Sequence, residues 1–125
     1  MKHHLLAAGL ATIALPAQAQ TPVLTVLTYD SFTSEWGPGP AIEKAFEADC
    51  ACDLRFVPAG DGAALLARIR LEGTASEADV VLGLDTSLTA AAAATGLFAP
   101  HGRPPVAALP VALDAPLFLA FDWGW

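Results

Sequence analysis

This chain is poor in the residues that most catalytic and nucleic-acid-binding chemistry requires. Basic side chains are scarce: 6 Lys and Arg stand against 13 Asp and Glu in 125 residues. Without Lys2, which falls in a leader described below, five basic residues face thirteen acidic ones, a net charge of −8. Nucleic acids and anionic membranes are held largely through Lys and Arg, so this balance favours neither as a partner. It is compatible with a cationic ligand. Tyrosine occurs once, at Tyr29, and a ferric site would want clustered Tyr and His. The two cysteines lie together in Cys50-Ala51-Cys52, with no further Cys or His beside them, which leaves zinc short of its usual four ligands. No P-loop, no Gly-x-Gly-x-x-Gly turn and no nucleophile elbow is present. No His lies where it could serve a Ser. The residues therefore point to binding more than to catalysis, with no catalytic and no metal-ligating residue assigned.

Long apolar runs are also missing. Residues 5–15 form an apolar stretch too short to cross a bilayer. It follows the basic start Lys2-His3-His4 and precedes Ala17-Gln18-Ala19, a small-residue cleavage pattern. Basic start, apolar run and small-residue site in that order are the signature of a secretory leader. Residues 1–19 are therefore expected to be a signal peptide, and residues 20–125 to be one small domain exported to an oxidising compartment. No membrane insertion is expected after cleavage. For Cys50 and Cys52 the residues leave three possibilities: a local disulfide closing a very small ring, two free thiols, or half of a metal site.

What the chain does have is an alternation of strand and helix patterns. Residues 23–29 are apolar and β-branched, the pattern of a buried strand. Residues 30–37 read as a loop. Pro38-Gly39-Pro40 opens a helix, with Ile42, Ala45 and Phe46 on its apolar side, Glu43, Lys44 and Glu47 outward, and an end near Asp49. Residues 53–58 form a second strand. Ala59-Gly60-Asp61-Gly62 is a turn into a helix with Leu65, Leu66 and Ile69 inward and Gly73 as its stop. Residues 78–84 form a third strand, covered on both faces. Residues 86–94 form an Ala-rich helix with Asp85 as its N-cap, and Gly96 follows it. Residues 100–116 are Pro-rich and irregular, with His101 solvated, and residues 117–125 are a last strand. Such alternation implies an α/β fold, a mostly parallel sheet flanked by helices. Right-handed crossovers would gather the loops after the first three strands at one edge.

That edge carries the candidate site: Tyr29, Asp30, Trp36, Asp61, Gly62 and Asp85. Aromatic rings beside carboxylates at the carboxyl ends of strands suit a small cationic aromatic ligand. Trp36 can face a ring cation or close the edge of a small core. Asp61 can accept from a ligand amine, cap the following helix, or do both, with Gly62 allowing close backbone approach.

The runs Leu24-Thr25-Val26, Tyr29-Asp30-Ser31-Phe32, Trp36-Gly37-Pro38-Gly39-Pro40 and Lys44 to Cys52, then Asp61-Gly62, residues 78–85, Thr95-Gly96-Leu97-Phe98-Ala99 and Phe121-Asp122-Trp123-Gly124, are collinear and cover nearly all of residues 20–125. Together they resemble the periplasmic thiamine-binding proteins of bacterial ABC importers. The resemblance implies a type II periplasmic-binding-protein fold of two lobes. Residues 20–125 would be the N-terminal lobe, cut short at the first hinge strand near Asp122. It implies a non-enzymatic protein of the periplasm that delivers thiamine, and its phosphate esters, to an ABC permease. Thiamine would be a transported ligand and not a cofactor. The ligand-binding residues it implies are Tyr29, Trp36, Asp61 and Gly62, and it favours the local disulfide between Cys50 and Cys52. Residues 100–119 depart from the family, being Pro- and Ala-rich where its members are more polar. Two alternatives share the fold: a binding protein for another organic cation such as a polyamine, and a thiamine-degrading enzyme with Cys50 or Cys52 as nucleophile. The second is weakened because both cysteines follow a helix at its C-terminal end, where the dipole disfavours a thiolate.

Overall fold

A computed structural model describes residues 20–104, 110, 113 and 115–122. The expected leader, residues 1–19, and residues 123–125 lie outside the described part. The sheet has three parallel strands in the order β2-β1-β3. Strand β1 (Val23–Thr28) is central, β2 (Asp53–Pro58) pairs along its whole length, and β3 (Val80–Val81) pairs with Val26 and Leu27. The connections carry a one-turn helix α1 (Asp30–Thr33), α2 (Gly39–Cys50) and α3 (Gly62–Glu72), and α4 (Thr89–Ala93) follows β3. Helices flank both faces, as the α/β reading requires.

Alternation along β1 divides the core in two. Leu27 faces α3 and packs with Leu65 and Ile69, and Tyr29, Val57, Val81, Leu84 and Phe98 close around this cluster. Val26 lies on the opposite side of the pleat. That side holds Leu54 and the ring of Phe32 from α1, which is 1% exposed and meets Phe56 edge-on at 5.2 Å between ring centroids. The Asp61 side chain accepts from Ala64 N at 2.8 Å and caps α3, and Gly73 closes that helix with φ 56° and its N–H on Ile69 O. Both ends of α3 therefore form where the residues foretell.

Several expected boundaries move, each for a local reason. Residues 30–33 are one helical turn, not loop: the hydroxyls of Thr33 and Ser34 donate to Asp30 O and Ser31 O and satisfy carbonyls that a short turn leaves open. On α2, Phe46 is 43% exposed while Glu47 turns inward. Asp53 N donates to Pro22 O on the β1 side, so Leu54 N points off the sheet edge, and Glu47 Oε1 accepts it at 2.9 Å. An edge amide needing an acceptor outweighs the apolar period there. Strand β3 is two residues long. Asp79 substitutes for a ladder partner, its carboxylate accepting from Thr25 N at 2.8 Å, and Gly83, with φ 109°, turns the chain away at the other end. Val80 is 44% exposed on the open edge, so β3 is not covered on both faces. Helix α4 starts at Thr89 with Leu88 at its N-cap, because Asp85 spends its carboxylate on the preceding turn. Residues 117–122 hold no strand; Phe118 N closes a turn onto Ala115 O at 3.1 Å. His101 is half-buried and not merely solvated. Its Nδ1 accepts from Arg103 N at 3.0 Å, so Nε2 carries the proton and donates to Ala115 O at 3.1 Å.

Two leucines of α3, Leu65 and Leu71, give a direct test of this packing. Leu65 is fully buried and Leu71 is 88% exposed. Leu65→Ala is expected to lower the unfolding free energy by about 2–5 kcal/mol. Leu71→Ala is expected to change it by less than about 0.5 kcal/mol. Urea denaturation of the two variants measures both.

Candidate functional site at the carboxyl edge of the sheet

Because all three strands are parallel, the segments leaving β1, β2 and β3 emerge at the same edge. There they are joined by backbone contact more than by side chains. The Tyr29 ring lies against the backbone of Gly83: a β-carbon on Gly83 would fall 2.3 Å from Tyr29 Cδ1. Gly62, at the start of α3, also sits close to the same loop, where a β-carbon would fall 2.9 Å from Gly83 O. On the other side of Tyr29, Asp30 N donates to Gly60 O at 2.8 Å, and Gly60 N donates back to Asp30 Oδ1 at 2.7 Å. Tyr29, Asp61 and Gly62 are thereby gathered into one edge, with Asp30 and Gly83 as the contacts that hold them.

Tyr29 is half-buried. Its ring meets Phe32 edge-on at 5.6 Å between centroids, and Phe32 in turn meets Phe121 at 6.2 Å. The aromatic row runs from the site edge into the core and out again to Phe121, which is 56% exposed. Asp61 uses Oδ1 on the Ala64 amide, and Oδ2 accepts no hydrogen bond among the described residues. Capping the helix therefore leaves one carboxylate oxygen open to a donor. That oxygen sits at a helix N-terminus, where negative charge is favoured.

Trp36 stands apart from this group. Gly37 N donates to Ser34 O at 2.9 Å, and the loop doubles back so tightly that a β-carbon on Gly37 would lie 2.3 Å from Ser31 O. The indole is left 81% exposed. It does not close the edge of the core, which removes the structural reading of this residue.

Asp85 is tied more heavily, through two donors of one residue on the same oxygen. Its Oδ1 accepts from the Ser87 hydroxyl and from Ser87 N at 2.8 Å. The Ser87 hydroxyl and then its amide hold the Asp85 carboxyl below the usual carboxylate range. Cys50 and Cys52 are disulfide-bonded, and Ala51 between them takes the left-handed conformation at φ 51°. They precede the first residue of β2, whereas the site lies past its last. The six residues of β2 separate the two by about 20 Å. Among the described residues, no three His, Cys, Asp or Glu side chains are grouped as metal ligands.

Gly83 was not singled out by sequence reasoning, although the signal was there. A glycine just after an apolar strand often marks a close backbone approach. The Asp30–Gly60 pairing had no comparable signal, since it joins residues thirty positions apart.

A parallel α/β lobe with its loops and open polar groups at the carboxyl edge defines the class: this is the periplasmic binding-protein fold. A solved structure of a periplasmic thiamin binding protein superimposes with a TM-score of 0.71 at 49% identity, over 84% of this chain and 33% of that one. Within the class, the chain is similar to thiamine-binding periplasmic proteins. It is 54% identical to that of Escherichia coli over 105 residues, 83% of this chain and 32% of the relative. It is 47% identical to that of Brucella suis over 111 residues, 88% of this chain and 33% of the relative. It is 43% identical to that of Haemophilus influenzae over 126 residues, 99% of this chain and 38% of the relative. The chain thus spans about a third of the length of the curated relatives it matches. No protein-family model matches it. The resemblance read from the motifs holds.

Two predictions test the edge. Gly83→Ala forces a β-carbon into the Tyr29 ring and puts an L side chain at φ 109°. It is expected to cost about 1–3 kcal/mol in urea unfolding and to shift the Tyr29 ring resonances. Ser87→Ala removes the donor that lowers the Asp85 titration, so its midpoint should rise toward the ordinary Asp value in an NMR pH titration. With the folded value depressed, the stabilisation carried by Asp85 is present at neutral pH. It disappears as pH falls through the folded midpoint, and Ser87→Ala should move that loss to higher pH.

Proposed function

We propose that this chain forms one lobe of a periplasmic solute-binding protein that holds thiamine, or its phosphate esters, for delivery to an ABC importer. The observation that carries the reading is the open Asp61 Oδ2 at the edge that also presents Tyr29 and Gly62, with Trp36 exposed on the loop that follows α1. The likeness to thiamine-binding periplasmic proteins, at 43–54% identity, supports it.

The chemistry matches the ligand. The thiazolium ring of thiamine is a delocalised cation that an exposed indole face attracts, at about 0.5–2 kcal/mol depending on desolvation. Its aminopyrimidine amine is a donor for Asp61, and a charged acceptor makes the stronger bond once water is excluded. Gly62 lets the ligand approach the backbone at the start of α3. Localisation in the periplasm follows the names of the relatives and the leader-like residues 1–19. Among the competing readings, a thiol nucleophile is disfavoured because both cysteines are bonded to each other, at the amino end of β2. No observation favours a polyamine over thiamine.

Calorimetric titration of the complete gene product with thiamine is expected to give one site per molecule. Asp61→Asn should weaken it by roughly tenfold, the worth of a charge-assisted hydrogen bond. Trp36→Ala should weaken it by roughly three- to thirtyfold and remove most of the thiamine-dependent tryptophan quench. Unchanged affinity in both variants would refute the site.

A further inference from the structure

The contacts at the edge of the sheet give Asp30 a role distinct from that of its neighbours. Strand pairing between β1 and β2 ends at Thr28 and Pro58, and Ala59 N still reaches Thr28 O at 2.9 Å. Beyond that point regular pairing stops for two reasons. Gly60 turns away at φ 85°, and Asp30 has already entered α1. The Asp30 side chain bridges this gap. The backbone N–H of Asp30 donates to Gly60 O while its carboxylate receives Gly60 N, a reciprocal pair that continues the contact between the two segments past the end of the parallel ladder. Gly60 is followed directly by Asp61 and Gly62, and Asp30 directly follows Tyr29. This pair therefore fixes the two halves of the site to each other just past the end of the regular pairing, with one backbone bond and one from the Asp30 carboxylate.

We propose that Asp30 is a positioning residue for this site: it holds the Gly60-Asp61-Gly62 turn in register with Tyr29, acting through Gly60 and not through the ligand. The inference rests on the thiamine reading above. It separates cleanly from a charge contact. If Asp30 works as a hydrogen-bond acceptor for Gly60, Asn serves nearly as well, because its carbonyl oxygen occupies the same place. If Asp30 instead attracts a cationic ligand, Asn fails and Glu, which keeps the charge but displaces the oxygens by one methylene, succeeds.

The experiment compares Asp30→Asn, Asp30→Glu and Asp30→Ala in the complete gene product with two readouts. The first is amide hydrogen exchange at Gly60 without ligand. The second is thiamine affinity by calorimetry. Asp30→Ala is expected to speed Gly60 exchange and to weaken thiamine binding, each by roughly tenfold. Asp30→Asn should stay within about threefold of the unsubstituted protein in both, and Asp30→Glu should resemble Asp30→Ala. Gly60 exchange unchanged in Asp30→Ala would overturn the tie itself. Affinity lost in Asp30→Asn but kept in Asp30→Glu would overturn positioning in favour of charge. Where Asp30→Ala does not fold, the Asn and Glu variants decide the matter alone. Absence of thiamine binding in the unsubstituted protein would remove the ligand reading, a failure distinct from either result, since Gly60 exchange is read without ligand.

Discussion

The structure depends on β1 being hydrogen-bonded on both sides. A parallel strand cannot receive its neighbours through tight hairpins, so each must arrive by a crossover that covers a face of the sheet. With β2 on one side and β3 on the other, both arrivals leave their following loops at the same edge as the end of β1. Thr28, at that end, is completely buried, and its hydroxyl has no hydrogen-bond partner among the described residues. The site thus stands directly on the central strand of the lobe, the one paired on both sides.

Convergence of backbones alone would leave a crowded edge. Close approach is made possible by side chains that are missing. Gly83 gives its space to the Tyr29 ring, Gly62 gives its space to Gly83 O, and Gly37 lets its turn fold onto α1. The one bulky group excluded from this economy of volume, Trp36, is pushed out into solvent. Polar ties at the edge are few and short, and each uses an Asp in a different way: Asp30 clasps the Gly60 amide past the end of the strand pairing, Asp61 caps a helix with one oxygen free, Asp85 closes a turn with its neighbour Ser87. Three carboxylates that each follow a strand thus have three unlike sets of hydrogen-bond partners.

Much of this was legible in the residues. The apolar β-branched run of β1, the Gly-Asp-Gly start of α3 and the Gly73 stop are local signals with local causes, and they formed where expected. What failed was the outcome of competition for hydrogen-bond partners, near and far in sequence. The face of α2 could not be read from its apolar period, since the unsatisfied amide of Leu54 draws Glu47 inward. The shortness of β3 comes from Asp79 and Gly83, one replacing a ladder partner and the other ending the pairing. Asp85 looked like a helix cap because it precedes an Ala-rich helix, yet an available Ser two residues on captured its carboxylate first. Residue identity announced the candidate site, but the contacts that hold it together pair residues far apart in sequence.

The three-residue bridge at the end of α2 ties the shape of the chain to the chemistry of its surroundings. Ala51 sits in a backbone region that an L-residue leaves readily unless something keeps it there, and the bond between its two neighbours does so. The corner between α2 and β2 is thereby closed covalently, at the opposite end of β2 from the candidate site, so the direction in which the chain enters the sheet is set by a bond and not by packing alone.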